Sequence, residues 1–232
     1  MIAALAVLLL TLWASVADAA CRQALALGLD VSGSVDAEDY ALQIQGLAGA
    51  LTHPEVRAAL LTMPSAPVAL AVFEWSGPED QRLTLDWTDI TDADALADVA
   101  ARLRSAARAS GDPSTALGSA LRYGGGLLRQ RGACWKRTLD LSGDGKSNTG
   151  PRPQDSHDAL PDAVTVNALV IGAPARADQI SPGIGELSAY FRAYVIHGPD
   201  AFVETALGFE DFEAAMVRKL KRELQGQLFS RR

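Results

Sequence analysis

Asp30, Ser32 and Ser34 stand at alternate positions in Asp30-Val31-Ser32-Gly33-Ser34, where an apolar run gives way to a turn. Three oxygen-bearing side chains at this spacing can converge on one point. One carboxylate and two hydroxyls make a hard-oxygen set, which suits a divalent cation such as Mg2+, Mn2+ or Ca2+ and suits soft metals poorly. Two more oxygens occupy comparable places further on. Thr115 opens the stretch Ala116-Leu117-Gly118, and Asp144 lies in the turn Ser142-Gly143-Asp144-Gly145 after another apolar run. Singly, each has a plainer explanation, with Asp30 and Thr115 as helix caps and the serines as turn residues. Their shared position, at the ends of separate elements, is what marks them as a set.

The elements that must position them follow from periodicity. Residues 24–31 (ALALGLDV) and 68–75 (VALAVFEW) are short apolar runs that predict buried strands. Gly77-Pro78-Glu79-Asp80 turns the chain into residues 81–87, whose period-two alternation predicts the second strand of a hairpin at a sheet edge. Residues 137–141, 164–172 and 202–206 complete the expected strands. Between them, Asp36 is the expected N-cap of a helix carrying Tyr40, Ile44, Leu47 and Leu51 on one face. Residues 92–109 predict a second helix, Leu117, Leu121, Gly124 and Leu128 mark a third, and a stripe from Phe209 to Leu224 marks a terminal one. Strands alternating with helices predict one α/β domain: a doubly wound, mostly parallel central sheet with one antiparallel edge strand and helices on both faces. Ligands of such sheets bind beyond the carboxyl ends of the strands, where Asp30 and Asp144 fall.

Composition narrows the function. The 232 residues are 48% hydrophobic and 21% charged, which is globular rather than disordered. With 28 acids against 21 bases and a net charge of -7, no strong general attraction to nucleic acid is expected, because phosphate binding needs a concentrated basic face. Residues 218–232 hold six bases and one acid. Arg218, Lys219, Lys221 and Arg222 are expected on the wet face of the terminal helix, complementing its dipole. Trp75, Trp87 and Trp135 are expected in core or strand-edge packing.

The apolar run 2–13, followed by small residues at Ala17 and Ala19, fits a signal peptide over residues 1–19 and is too short to span a bilayer. No other stretch is long enough to be a transmembrane segment, so the expectation is an exported protein, periplasmic or secreted, with one domain over residues 20–232. Cys21 lies nine residues before Asp30 and Cys134 ten before Asp144. If the two acids end neighbouring parallel strands, the sulfurs meet at the opposite end of the sheet, and an exported chain would join them in a disulfide. The competing use of Cys21, as a lipidated first residue, is opposed by Asp18, which stands where a lipid-attachment box has Leu.

Rival chemistries fit less well. Gly143-Asp144-Gly145-Lys146-Ser147 has the look of a phosphate loop, but Asp140 stands where the pattern needs glycine, and Asn148-Thr149-Gly150-Pro151 breaks the required helix. An aspartyl-phosphate phosphotransferase using Asp30 would need a second acid where Ser32 stands. There is no Gly-x-Ser-x-Gly elbow, and His53, His157 and His197 read as surface or turn residues. The expectation is a protein that is not an enzyme, with a metal-dependent phosphotransferase or a scaffold with a vestigial site as the alternatives.

Three motifs in order, Asp30-x-Ser32-x-Ser34, Thr115-x-x-Gly118 and Asp144-Gly145, resemble the metal-ion-dependent adhesion site of von Willebrand factor type A domains. The resemblance runs from about Ala24 to Leu224. Within it, LGLDVSGSVDAEDY, Phe73-Glu74-Trp75, LDLSGDGKSNTG and YFRAYVIHGPDAFV are similar to a bacterial family of exported single-domain proteins of this type. It implies Mg2+ as the usual ion, with Ser32 and Ser34 as direct ligands. Thr115 would bind directly or through water, and Asp30 and Asp144 mainly through water. It further implies a binding module, expected to be monomeric, whose protein partner offers a carboxylate to the ion's open position. In relatives of this fold the last helix moves when the site is filled, which implies a transmitting role for the stripe ending at Leu224. One departure is Gly111-Asp112-Pro113-Ser114, where the family has a Gly-Gly pair; Asp112 is expected to add negative charge near the ion.

Overall fold

Strands β1 (Gln23–Asp30) and β2 (Val68–Trp75) are buried along their whole length, as strands covered on both faces must be. The computed structural model describes residues 20–172 and 183–225. With β3 (Gln81–Ile90), β4 (Lys136–Gly143), β5 (Val164–Gly172) and β6 (Val203–Leu207), these strands form a six-stranded sheet in the order β3-β2-β1-β4-β5-β6. Every neighbouring pair is parallel except β2 and β3. That pair is the expected hairpin, closed by Ser76 N–H donating to the Asp80 carbonyl at 3.0 Å.

Side-chain alternation along β1 divides the core. Leu25, Leu27 and Leu29 face a layer made by α1 (Ala37–Thr52), α2 (Pro54–Leu60), α3 (Ala93–Arg104) and α6 (Phe212–Gln225). Ala24 and Ala26 face α4 (Leu117–Arg129) and α5 (Ile184–Tyr194) on the other side. Asp36 caps α1 as its position suggested: its carboxylate accepts from the N–H groups of Glu38 and Asp39 at 2.7 and 2.9 Å. The chain leaves β1 toward β2 on one side, while β4 pairs on the other. The loops after β1 and β4 therefore part to opposite faces, opening the crevice where doubly wound sheets bind ligands.

Several elements depart from the sequence reading. α3 stops at Arg104 instead of running to residue 109, because the following residues are drawn into loop contacts described below. α2, α5 and a 3-10 helix at Pro153–Ala159 carry apolar positions too few or too short to show periodicity. Trp135 is 56% exposed and lies outside the core. Lys219, placed on the wet face by its neighbours' charges, is wholly buried. Its Nζ meets the carboxylates of Asp140 on β4 and Glu223 one turn further along α6.

Cys21 and Cys134 are joined by a disulfide at the amino-terminal ends of β1 and β4, with their Cα atoms 4.5 Å apart. The spacing argument from Asp30 and Asp144 is met, and the Cys21 sulfur is committed. Among the described residues no helix is long and apolar enough to cross a membrane. Residues 1–19, read as a signal peptide, and residues 226–232 lie outside the described residues.

Candidate metal centre

Asp30 ends β1 with its side chain wholly buried. One carboxylate oxygen, Oδ1, accepts the Ser32 N–H at 2.9 Å, bending the chain into the turn that carries both serines. The Ser32 and Ser34 hydroxyls lie 3.3 Å apart, and Ser34 Oγ donates to Asp144 Oδ1 at 2.7 Å. Thr115 is buried beside the turn after β4 that carries Asp144, where a Cβ on Gly145 would come within 3.8 Å of its hydroxyl. The five residues singled out from sequence are thus brought together at the carboxyl ends of β1 and β4.

The second oxygen of Asp30, Oδ2, is buried and has no hydrogen-bond partner among the described residues. A Cβ added at Gly143 would lie 3.3 Å from it and 3.2 Å from the Phe191 ring, so glycine there keeps its surroundings open. Burial, reinforced by the charge of Asp144, pushes the Asp30 carboxyl up to about 7. Burial also raises Asp144, although the Ser34 hydroxyl opposes that shift. A buried carboxylate left half-unbonded among hydroxyls costs free energy unless a proton or a cation neutralises it. The donor set is all hard oxygen and carries two carboxylates, so it fits a divalent cation of the Mg2+ class. Among the described residues no three His, Cys, Asp or Glu gather as a metal-ligating group, which leaves hydroxyls as the majority donors here.

Neighbours that the sequence reading passed over hold this arrangement. Gln43 of α1 donates to the Asp30 carbonyl at 2.9 Å and accepts from the Ser142 hydroxyl at 3.0 Å, tying the ends of β1 and β4 to one helix. Asn148 clamps Thr115 from both sides: its Oδ1 accepts the Thr115 N–H and its own N–H donates to the Thr115 carbonyl, each at 2.9 Å. Gly118 explains the glycine three residues after Thr115. A Cβ there would sit 2.0 Å from the Pro151 carbonyl oxygen, so only glycine admits the loop carrying Asn148. Gly33 N–H donates to the Pro113 carbonyl at 2.7 Å, joining the serine turn to the loop before Thr115.

That loop is anchored by a buried acid. Glu74 at the end of β2 accepts from Tyr40 Oη at 2.7 Å and from the Ala109 N–H at 2.8 Å. Arg108 donates to the carbonyls of Val31 and Ser32 at 3.0 and 3.2 Å. These contacts are why α3 ends early. Asp112, expected to add negative charge near the ion, accepts the Ser114 N–H at 2.8 Å, a bond that lowers its pKa and keeps the carboxylate ionised. The histidines take no part. His157 and His197 stack on each other with centroids 4.7 Å apart, where His197 bridges to Val166 of β5.

The fold and this site define the class. Residues 20–228 match the family described as "Protein of unknown function (DUF1194)", and the chain belongs to that family. Solved structures place the fold among von Willebrand factor type A domains. The pilus adhesin SpaC of Lactobacillus rhamnosus GG superposes with a TM-score of 0.63 at 15% identity, over 89% of this chain and 31% of that one. Proximal thread matrix protein 1 of the mussel byssus gives 0.61 at 17% identity, over 89% and 47%; another structure of it has a zinc-occupied metal-ion-dependent adhesion site. A von Willebrand factor type A protein from Catenulispora acidiphila gives 0.56 at 15%, over 88% and 42%. The chain spans less than half the length of each. None of the curated proteins matches it.

Proposed function

We propose that this chain is an exported von Willebrand A-type binding module that holds a divalent cation on Asp30, Ser32, Ser34, Thr115 and Asp144 and uses it to engage a protein partner. The observation that carries the reading is Asp30 Oδ2, a buried carboxylate oxygen without a partner, at the centre of a hydroxyl cluster. A bound cation supplies the positive charge that Asp30 and Asp144 call for, and a Lewis-acidic position that a partner's carboxylate can fill. With Asp30 and Asp144 acting mainly through water, the direct ligands Ser32, Ser34 and Thr115 are neutral oxygens, so the ion stays electrophilic at its open position and attractive to an external acid. Mg2+ suits the donor set best, with Mn2+ and Ca2+ close behind; the zinc-occupied site of the mussel protein widens the panel to test. The disulfide supports an oxidising compartment, hence export through residues 1–19.

The phosphotransferase alternative asks Asp30 to act as a nucleophile. Its side chain is wholly buried, and the position of the needed general acid is a serine. A binding role demands neither exposure nor that acid.

The test is thermal unfolding of the metal-stripped chain across titrations of Mg2+, Mn2+, Ca2+ and Zn2+, with Asp30→Ala alongside. An ion bound only by the folded state adds about 2.7 kcal/mol at a hundred times its dissociation constant. A saturable shift that vanishes in Asp30→Ala is expected. No shift with any ion at millimolar concentration would leave a scaffold with a vestigial site.

A further inference from the structure

Next to the serine turn, a cavity of about 370 Å3 opens between residues 31–33 and the loop after α3. Gly33, which stands between Ser32 and Ser34, forms part of its wall, so the cavity and the candidate metal centre share one turn. Arg108 is its one charged lining residue; the other walls are Val31, Ala109, Ser110, Gly111 and Pro113. The acids around this loop are turned to its backbone: Glu74 accepts the Ala109 N–H, Asp80 the Asp112 N–H and Asp112 the Ser114 N–H.

Arg108 is unusual in how it is held. One guanidinium nitrogen, Nη2, makes both bonds to the Val31 and Ser32 carbonyls. Among the described residues Arg108 makes no ion pair, whereas Arg82, Arg131, Arg152 and Arg218 each meet an acid. Its backbone is fixed too, because the adjacent Ala109 N–H is bound by the buried Glu74 carboxylate. The guanidinium is therefore pre-positioned, with donors left over, and a planar fork of this kind is the preferred partner of a carboxylate.

We propose that Arg108 and this cavity form a second subsite for the same ligand, which takes a second carboxylate beside the one directed to the metal centre. The inference rests on the metal-dependent reading above. The partner it selects is an extended acidic segment with two carboxylates two residues apart, which such a chain presents on one face about 7 Å from each other. A ligand with a single acid would occupy the metal position and leave Arg108 and the cavity to water.

Two peptides test this against the chain saturated with Mg2+: acetyl-Gly-Gly-Asp-Gly-Gly-amide and acetyl-Gly-Asp-Gly-Asp-Gly-amide, titrated by amide chemical shift. The two-acid peptide is expected to bind at least about fivefold tighter, as one charge-assisted contact allows. That advantage is expected to disappear in Arg108→Gln. Because Arg108 also holds the Ser32 carbonyl, Ser110→Asp serves as a second variant. It leaves Arg108 in place, supplies it with a competing carboxylate, and is expected to erase the same advantage. Equal affinities in the unaltered chain, an advantage that survives both variants, or no binding of the two-acid peptide at millimolar concentration would each overturn the subsite. The Mg2+ unfolding shift, measured on every sample, separates these outcomes from failure of the metal centre itself.

Discussion

Lys219 of α6 and Asp140 of β4 form an ion pair in the interior of the protein, Lys219 wholly and Asp140 almost wholly removed from water. Glu223 completes the group and accepts from Asn167 of β5 at 2.6 Å. Burial opposes the charge on Lys219, but the two carboxylates overcome it and hold its pKa above the ordinary lysine value. Along this face β4 presents Thr138, Asp140 and Ser142, all buried, where β1 presents leucines. The last helix is thus pinned to the sheet by charge as well as by Phe212, Met216 and Leu220.

Removing the cation should expose what the pinning is worth. Lys219→Met leaves two buried carboxylates unpaired, and such a change costs about 3–5 kcal/mol. Adding Asp140→Asn and Glu223→Gln to Lys219→Met is expected to recover most of that loss, as read by urea unfolding. A cost below about 1 kcal/mol for the single change would mean that the group contributes nothing. These point changes also probe any transmitting role of α6 better than truncation, which would strip the core of Phe212, Met216 and Leu220. If α6 does transmit, the Mg2+ shift changes in the folded triple variant.

The metal-free chain should lose stability as pH rises from about 4 to about 7. Burial raises Asp30 and Asp140 to about 7 in the folded state, from an ordinary value near 3.8. Across that window these two acids keep protons in the folded chain that they lose in the unfolded one. This outweighs the opposite effect of His157, whose pKa burial lowers, so unfolding becomes easier with rising pH. Urea midpoints in chelator at pH 5 and pH 8 read this directly, with the lower midpoint expected at pH 8. Asp30→Asn removes one share of the slope. It is expected to stabilise the metal-free chain at pH 8 while abolishing the response to Mg2+, an opposition of signs that a purely structural Asp30 would not produce.

Gly118→Ala tests the loop that clamps Thr115. The added Cβ would meet the Pro151 carbonyl at 2.0 Å, so backbone must move. Overpacking of this kind costs about 1–3 kcal/mol. Because Asn148 lies on the same loop, the Mg2+ midpoint is expected to rise to higher concentration as well. A destabilised variant with unchanged Mg2+ response would show that the loop supports the fold but not the site.

The strand pattern, the order of the motifs and the convergence of Asp30, Ser32, Ser34, Thr115 and Asp144 were readable along the chain. Each rests on local chemistry: apolar runs of strand length, turn residues after them, and oxygen side chains at fixed spacing. The meeting of Cys21 with Cys134 was readable for the same reason, since parallel neighbours of equal length bring both ends into register. What lay beyond the sequence are the partners supplied by distant elements. Gln43, Asn148 and Glu74 look like ordinary polar residues until three-dimensional packing places a carbonyl, an amide or a hydroxyl against each. Lys219 misled for a related reason. Its neighbours Arg218, Lys221 and Arg222 are solvated or half-exposed, and helical periodicity cannot tell that a strand residue 79 positions earlier offers a buried carboxylate. Local periodicity determines which residues share a face. Only the tertiary fold decides what that face meets, because burying a charge becomes tolerable once its counter-charge is already in place.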